Sequence, residues 1–265
     1  MSPALQAAAL RWRASAPPAV VVEVRDSRGS VPREAGTRML VAAHEVLGTI
    51  GGGHLELKAI YAARRLLAGD VTVAREQRIA LGPSLGQCCG GALTLRLAPL
   101  EDDDPATWPL PAPRFRLQLY GAGHVGRAIA QLLAGIDCQV QWIDEREDAF
   151  PAAALAPHIE RICVEPVQAE VASARAGDFF LVLTHSHALD LAITEAILRR
   201  GDFGFLGLIG SKTKHARFVH QLEARGIAPA ALARLTCPIG LPGIAGKEPE
   251  VIAVAVLAQL LALSG

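Results

Sequence analysis

The sequence has no excess of either charge: 26 Lys and Arg balance 26 Asp and Glu, a formal net charge of zero. Without a basic surplus nothing drives sequence-independent binding to phosphate backbones, so nucleic acid is not expected as a partner. Long apolar runs are also missing. Charged residues, Gly or Pro break every stretch short of the roughly 18–20 residues a membrane helix needs, so no membrane association is expected. The first residues, Met-Ser-Pro-Ala-Leu-Gln, lack a basic segment leading into an apolar one, and no secretory signal is expected. The five cysteines (88, 89, 138, 163 and 237) are odd in number and follow no disulfide-framework spacing. Reduced thiols and a cytoplasmic location follow as expectations. Aromatics make up only 5% of the chain, so burial falls to Ala, Leu and Val, a mix suited to soluble α/β proteins with buried parallel strands.

What is present divides into two halves with different patterning. The stretch 99–113 is rich in Pro and acids and cannot continue a helix or a ladder, so it reads as a linker. Ahead of it, residues 1–98 read as a small α+β domain. Helices are expected at 3–14 and 54–67, with Gly69 ending the second, and strands at 19–24, 37–42, 46–50, 71–79 and 92–97. Residues 114–265 alternate strand and helix: strands at 115–120, 138–143, 179–184 and 205–209, helices at 125–133, 189–199, 214–225 and 249–263. That alternation predicts a Rossmann-like, doubly wound parallel sheet.

Several turns carry candidate chemistry. Gly121-Ala-Gly123-His124-Val-Gly126 lies between a predicted strand and helix, where its glycines allow a tight turn, phosphate approach and close helix packing. Asp144, after the next strand, has the spacing of an acid that accepts from a ribose 2′-hydroxyl. Gly51-Gly52-Gly53-His54 with Glu56 forms a second glycine-rich strand-to-helix turn, fit for an anion. Cys88 and Cys89 sit among glycines; a thiolate there is a soft-metal donor, although adjacent cysteines do not resemble a zinc pair. His185 and His187 leave a strand at its carboxyl end, two imidazoles without a visible third ligand, and hydrogen bonding with capping by Asp190 reads equally well. Ser211 and Lys212 open another helix, as an anion-facing turn or simply as a helix start with solvated lysines.

In order along the chain, Gly29-Ser-Val-Pro-Arg33, Gly48-Thr-Ile-Gly-Gly-Gly-His-Leu-Glu56, Gly86-Gln-Cys-Cys-Gly-Gly91, Gly121-Ala-Gly-His-Val-Gly126, Ile209-Gly-Ser-Lys212 and Cys237-Pro-Ile-Gly-Leu241 resemble the XdhC/CoxI family of xanthine dehydrogenase accessory proteins. The Rossmann loop alone is unspecific; its combination with the first two motifs is specific. The resemblance implies a non-catalytic factor that binds molybdenum cofactor (a molybdopterin), holds it while a cysteine desulfurase exchanges oxygen for sulfur, and delivers it to the molybdenum subunit of xanthine dehydrogenase. It also implies a homodimer. Cofactor contacts would then fall on Gly51, Gly52, Gly53, His54, Glu56, Cys88, Cys89, Gly121, Gly123, His124, Gly126, Asp144, His185, Ser211 and Lys212, with Cys88 or Cys89 at the metal and a nucleotide at the Rossmann loop. Residues 238–247 depart from the Pro-Ile-Gly-Leu-Asp-Ile-Gly-Ala of many relatives, which points to the xanthine dehydrogenase branch. The residues themselves leave two other readings open: an NAD(P)-dependent oxidoreductase using His185 or His187 for proton transfer, and a nucleotide-sensing regulator.

Overall fold

The computed structural model describes residues 3–15, 18–70, 72–73, 75–81, 91–110 and 112–265. The chain falls into two units, Met1–Pro111 and Ala112–Gly265. No helix among the described residues is long and apolar enough to cross a membrane.

The first unit contains helix α1 (Pro3–Ser15), strands β1 (Ala19–Arg28), β2 (Arg38–Ala42) and β3 (Val46–Gly48), helix α2 (Gly53–Leu67), and strands β4 (Glu76–Ala80) and β5 (Ala92–Pro99). The strands form one antiparallel sheet in the order β3-β2-β1-β5-β4. β1 is the central strand and is covered on both faces, which explains why its valines run without polar alternation. Val20, Val22 and Val24 pack against Leu55, Ala59 and Ala63 of α2. Val21 faces the other way, in a cluster with Leu5 and Ala9 of α1. α2 ends at Leu67, and Gly69 takes the positive φ (85°) that follows many helix ends.

Most of the stretch expected to be a bare linker folds onto this unit. β5 runs to Pro99, and Leu100 and Trp108 are buried in the α1-side cluster. A charged network on that face of the sheet holds it there. Glu23 of β1 pairs with Arg38 of β2 (2.5 Å) and Arg96 of β5 (3.3 Å). Asp103 accepts from Arg96 (2.8 Å) and from the Trp108 indole Nε1 (2.8 Å), and the Arg38 guanidinium lies 5.1 Å from the centre of the Trp108 ring. Proline content signalled the lack of regular structure there; it carried no information on whether the segment packs.

The second unit contains β6 (Arg116–Tyr120), α3 (His124–Leu133), β7 (Gln139–Asp144), β8 (Ile159–Cys163), β9 (Phe179–Val182), α4 (His187–Arg200), β10 (Phe205–Leu208), α5 (Lys212–Ala224), α6 (Pro229–Leu232), β11 (Leu235–Thr236) and α7 (Pro249–Leu263). All six strands are parallel, in the order β11-β10-β9-β6-β7-β8. This is a doubly wound sheet whose direction of winding reverses between β6 and β9. Alternate residues serve opposite layers: Leu117, Leu119 and Leu181 face α3 and α7, while Tyr120, Phe180 and Val182 face α4 and α5. On α7, Ala253, Val256 and Leu260 recur at helical spacing and cover α3. Sequence patterning did not reveal β8 or β11. β8 is an edge strand with exposed Glu160 and Arg161, and β11 is two residues long, so neither offers an apolar run to read.

The network around Asp103 makes a stability prediction. Burial pushes the Asp103 carboxyl up, but the Trp108 indole and the Arg96 guanidinium outweigh it and hold the group below its ordinary value. Its contribution is therefore full above the ordinary carboxylate value of roughly 4 and is lost as pH falls through the depressed one. Asp103→Ala is expected to cost about 1.5–3 kcal/mol. Amide hydrogen exchange should accelerate in β1 and β5 at neutral pH, with β6 and β9 unchanged, and the difference from the parent chain should shrink in acid.

Candidate functional site

The connections that leave the carboxyl ends of β6 and β9 part at the point where the winding reverses, and a cleft of about 560 Å³ lies there. Its lining includes Gly123, His124, Gly126, Arg127, Arg146 and His185. The glycine loop is built as its spacing predicts. Gly121 has φ 115°, and a Cβ on it would lie 2.3 Å from the Leu183 carbonyl oxygen. A Cβ on Gly126 would lie 2.0 Å from the Gly121 oxygen, so only glycine lets α3 come this close to β6. Gly123 caps α3 with ordinary backbone angles (φ −72°), and a Cβ there would meet nothing within 4 Å. Its bare Cα leaves the approach to the helix N-terminus open, where amide donors and the helix dipole favour an anion.

Asp144 is placed as expected at the end of β7 but does not face the cleft as a ribose acceptor. Its side chain is 3% exposed. Oδ2 accepts from the Ala122 amide (2.7 Å) and Arg146 Nη2 (3.0 Å), while Oδ1 accepts from the amide and Nε of Arg146 (3.0 Å each). Those four donors use the roughly four acceptor positions of a carboxylate. Burial pushes the group up, yet the guanidinium and the two amides together hold it below the usual carboxylate range. The carboxylate ties the glycine loop to β7, and Arg146 takes the place at the rim.

Beyond His185 a second hollow of about 490 Å³ continues along the same sheet edge, sharing Thr184, His185 and Ile209 with the first. Lys214 and Arg217, i and i+3 on α5, line it; Lys212 does not. Lys214 Nζ, 9% exposed, donates to Asp190 Oδ2 (2.6 Å) and the Ile209 carbonyl (2.8 Å). Asp190 Oδ1 accepts from the amide and hydroxyl of Thr184. α4 is capped by Ser186 and α5 by Ser211, whose hydroxyl accepts from the Lys214 amide (3.2 Å). His185 turns to Glu145, with Nε2 and Oε1 3.6 Å apart. Among the described residues no three His, Cys, Asp or Glu side chains gather to hold a metal ion.

In the first unit three motifs far apart in sequence converge. Gly51 packs on Pro32, where a Cβ would lie 2.5 Å from the proline Cβ, and Gly91 lies against the carbonyls of Arg28 and Ser30. Glu56, expected to flank a ligand, closes the glycine turn itself: Oε2 accepts from the Thr49 hydroxyl (2.5 Å) and the amides of Ile50 (3.0 Å) and Gly52 (3.1 Å). Its own carboxylate thus takes the inner donors that were expected to meet an anion. Gly51, Gly53 and His54 remain at the surface, and a Cβ on Gly52 would meet nothing within 4 Å. Cys88 and Cys89 lie outside the described residues.

Comparison with known proteins agrees with this geometry. Residues 117–260 match the XdhC Rossmann domain, and residues 12–76 match the XdhC and CoxI family. The uncharacterized protein YqeB of Escherichia coli (strain K12) is 32% identical over 254 residues, covering 92% of this chain but 43% of its own length. This chain therefore spans less than half of that relative. A Bacillus halodurans crystal structure described as a xanthine dehydrogenase superposes with a TM-score of 0.70 at 20% identity, over 99% of this chain and 96% of the other. At that identity the likeness concerns the fold.

Two glycines of the loop should respond in opposite ways. Gly126→Ala forces α3 off β6 and is expected to cost about 1–3 kcal/mol. Gly123→Ala, with ordinary φ and open space, should leave stability within about 0.5 kcal/mol. Urea-unfolding midpoints of the two variants beside the parent chain check both values.

Proposed function

This chain belongs to the XdhC and CoxI family, and we propose that it is an accessory protein that binds molybdenum cofactor, holds it during sulfuration by a cysteine desulfurase, and hands it to the molybdenum subunit of xanthine dehydrogenase. One observation carries this reading: residues 29–33 pack against the exposed glycine turn at Gly51 through Pro32 and against the buried Gly91 through the Ser30 carbonyl, so three motifs dispersed in sequence adjoin in the N-terminal unit. That arrangement suits a ligand too large for any one of the motifs.

The fit of the residues to a phosphate-bearing pterin is physical. The first amides of α2, at Gly53 and His54, have no partner within the helix and carry its positive end. With the inner amides taken by Glu56, an anion meets this outer end, where His54 is exposed and the open side of Gly52 leaves room. When bound, the cofactor supplies a molybdenum centre, and a sulfur donor to that centre is the role proposed for Cys88 or Cys89. The chain itself performs no turnover in this reading; it binds, orients and shields. Cytoplasmic action as a homodimer belongs to the same proposal.

The test is retention and transfer. The tagged chain, purified from a host that makes the cofactor, should carry molybdenum and a fluorescent pterin oxidation product, and should activate cofactor-free xanthine dehydrogenase. His54→Ala should keep its circular dichroism and lose roughly tenfold in retention, about one charge-assisted hydrogen bond. Cys88→Ser and Cys89→Ser, taken singly, should differ in retention, because the proposal places only one of the two thiolates at the metal. Incubation with NADP and a panel of alcohols should give no sustained reduction. Equal activation of the dehydrogenase with and without the chain would overturn the proposal.

A further inference from the structure

We infer that the cleft of the C-terminal unit binds a dinucleotide bearing a ribose 2′-phosphate, and that Arg146 recognises that phosphate. The sheet order sets where each part of such a ligand lies. With the diphosphate at the N-terminus of α3, over the bare Cα of Gly123, the adjoining ribose comes to the end of β7.

A site that reads a free 2′-hydroxyl needs an acceptor there with a vacant lone pair facing the sugar. Asp144 has the right position and no vacancy. It is buried, and it already accepts four N–H groups from Ala122 and Arg146 between 2.7 and 3.0 Å. Turning it toward a sugar would strip the Ala122 amide and the Arg146 guanidinium of their partner together.

The group that does line the cleft at this position is Arg146, 39% exposed. A guanidinium has five N–H donors in a planar fork. Nε and one hydrogen of Nη2 go to Asp144, so the outer edge is left to face a ligand. The bidentate grip of Asp144 also fixes the orientation of the fork in advance, which reduces the ordering cost of binding a phosphate.

The cations of the cleft wall are Arg146 and Arg127, and the acids about Arg146 are Asp144, Glu145 and Asp148. Asp144 is neutralised by Arg146 itself, and the Glu145 carboxylate turns to His185. Asp148 is the remaining acid of the lining and acts on Arg146, while Arg127, whose guanidinium donates to the Ala122 and Ala149 carbonyls, adds a second cation there.

The measurement is equilibrium binding of NADPH and NADH to the full chain, followed by nicotinamide fluorescence, with 2′,5′-ADP and 5′-AMP as competitors. NADPH should bind at least about tenfold more tightly than NADH, the effect of one charge-assisted phosphate contact. 2′,5′-ADP should displace it at concentrations where 5′-AMP does not. Arg146→Ala should bring NADPH down to the affinity of NADH, and Arg146→Lys, which keeps the charge but not the fork, should fall between. The comparison of ligands on the unaltered chain stands even if a variant folds poorly. Equal or tighter binding of NADH, no binding of either dinucleotide, or an undiminished preference in folded Arg146→Ala would overturn the inference. The cofactor proposal concerns the N-terminal unit and is read by molybdenum retention, so the two can fail separately.

Discussion

The second unit depends on how closely a helix can approach a strand. α3 rests on β6 at a distance that excludes even one methyl group, since a Cβ on Gly126 would lie 2.0 Å from the Gly121 oxygen. That same oxygen accepts from the buried Trp142 indole of β7 (3.0 Å), and Gly121 itself lies against the Leu183 carbonyl after β9. Three strand ends and one helix start are thereby locked to a single peptide. α7 then covers α3, and the N-terminus of α3 is held open on the cleft at the carboxyl ends of β6 and β9. A tighter or looser contact would move the amides that make the cleft a place for an anion.

The two units treat carboxylates near amide donors in the same way. Asp144 and Glu56 each stand beside a glycine turn, and each binds the donors of its own chain. The reason is proximity. A carboxylate that the fold already holds beside amide donors loses little freedom in binding them, and buried donors without partners are costly. These turns are therefore rigid before any ligand arrives. The cleft and the hollow each present a guanidinium, Arg146 at the first and Arg217 along the second, while Lys214 is held inward by Asp190 and His54 is exposed at the turn of the N-terminal unit. That distribution favours phosphate-bearing ligands in a chain whose net charge is zero.

The sequence by itself determined the strand–helix alternation, the doubly wound class, the glycine loop and the α+β character of the first half, because each is written in local periodicity or in glycines demanded by local sterics. Family membership was legible too, since six short motifs stand in order along the chain. Tertiary structure alone decided the rest. Whether residues 100–108 hang free or pack depends on Glu23, Arg38 and Arg96, which come from three different strands. Whether Asp144 meets a sugar or its own backbone depends on an amide 22 residues away. Lys214, which lines the second hollow where Lys212 does not, is held there by Asp190, 24 residues away. Partners of this kind are chosen by proximity in space among groups distant in the chain, and local patterning contains no record of that choice.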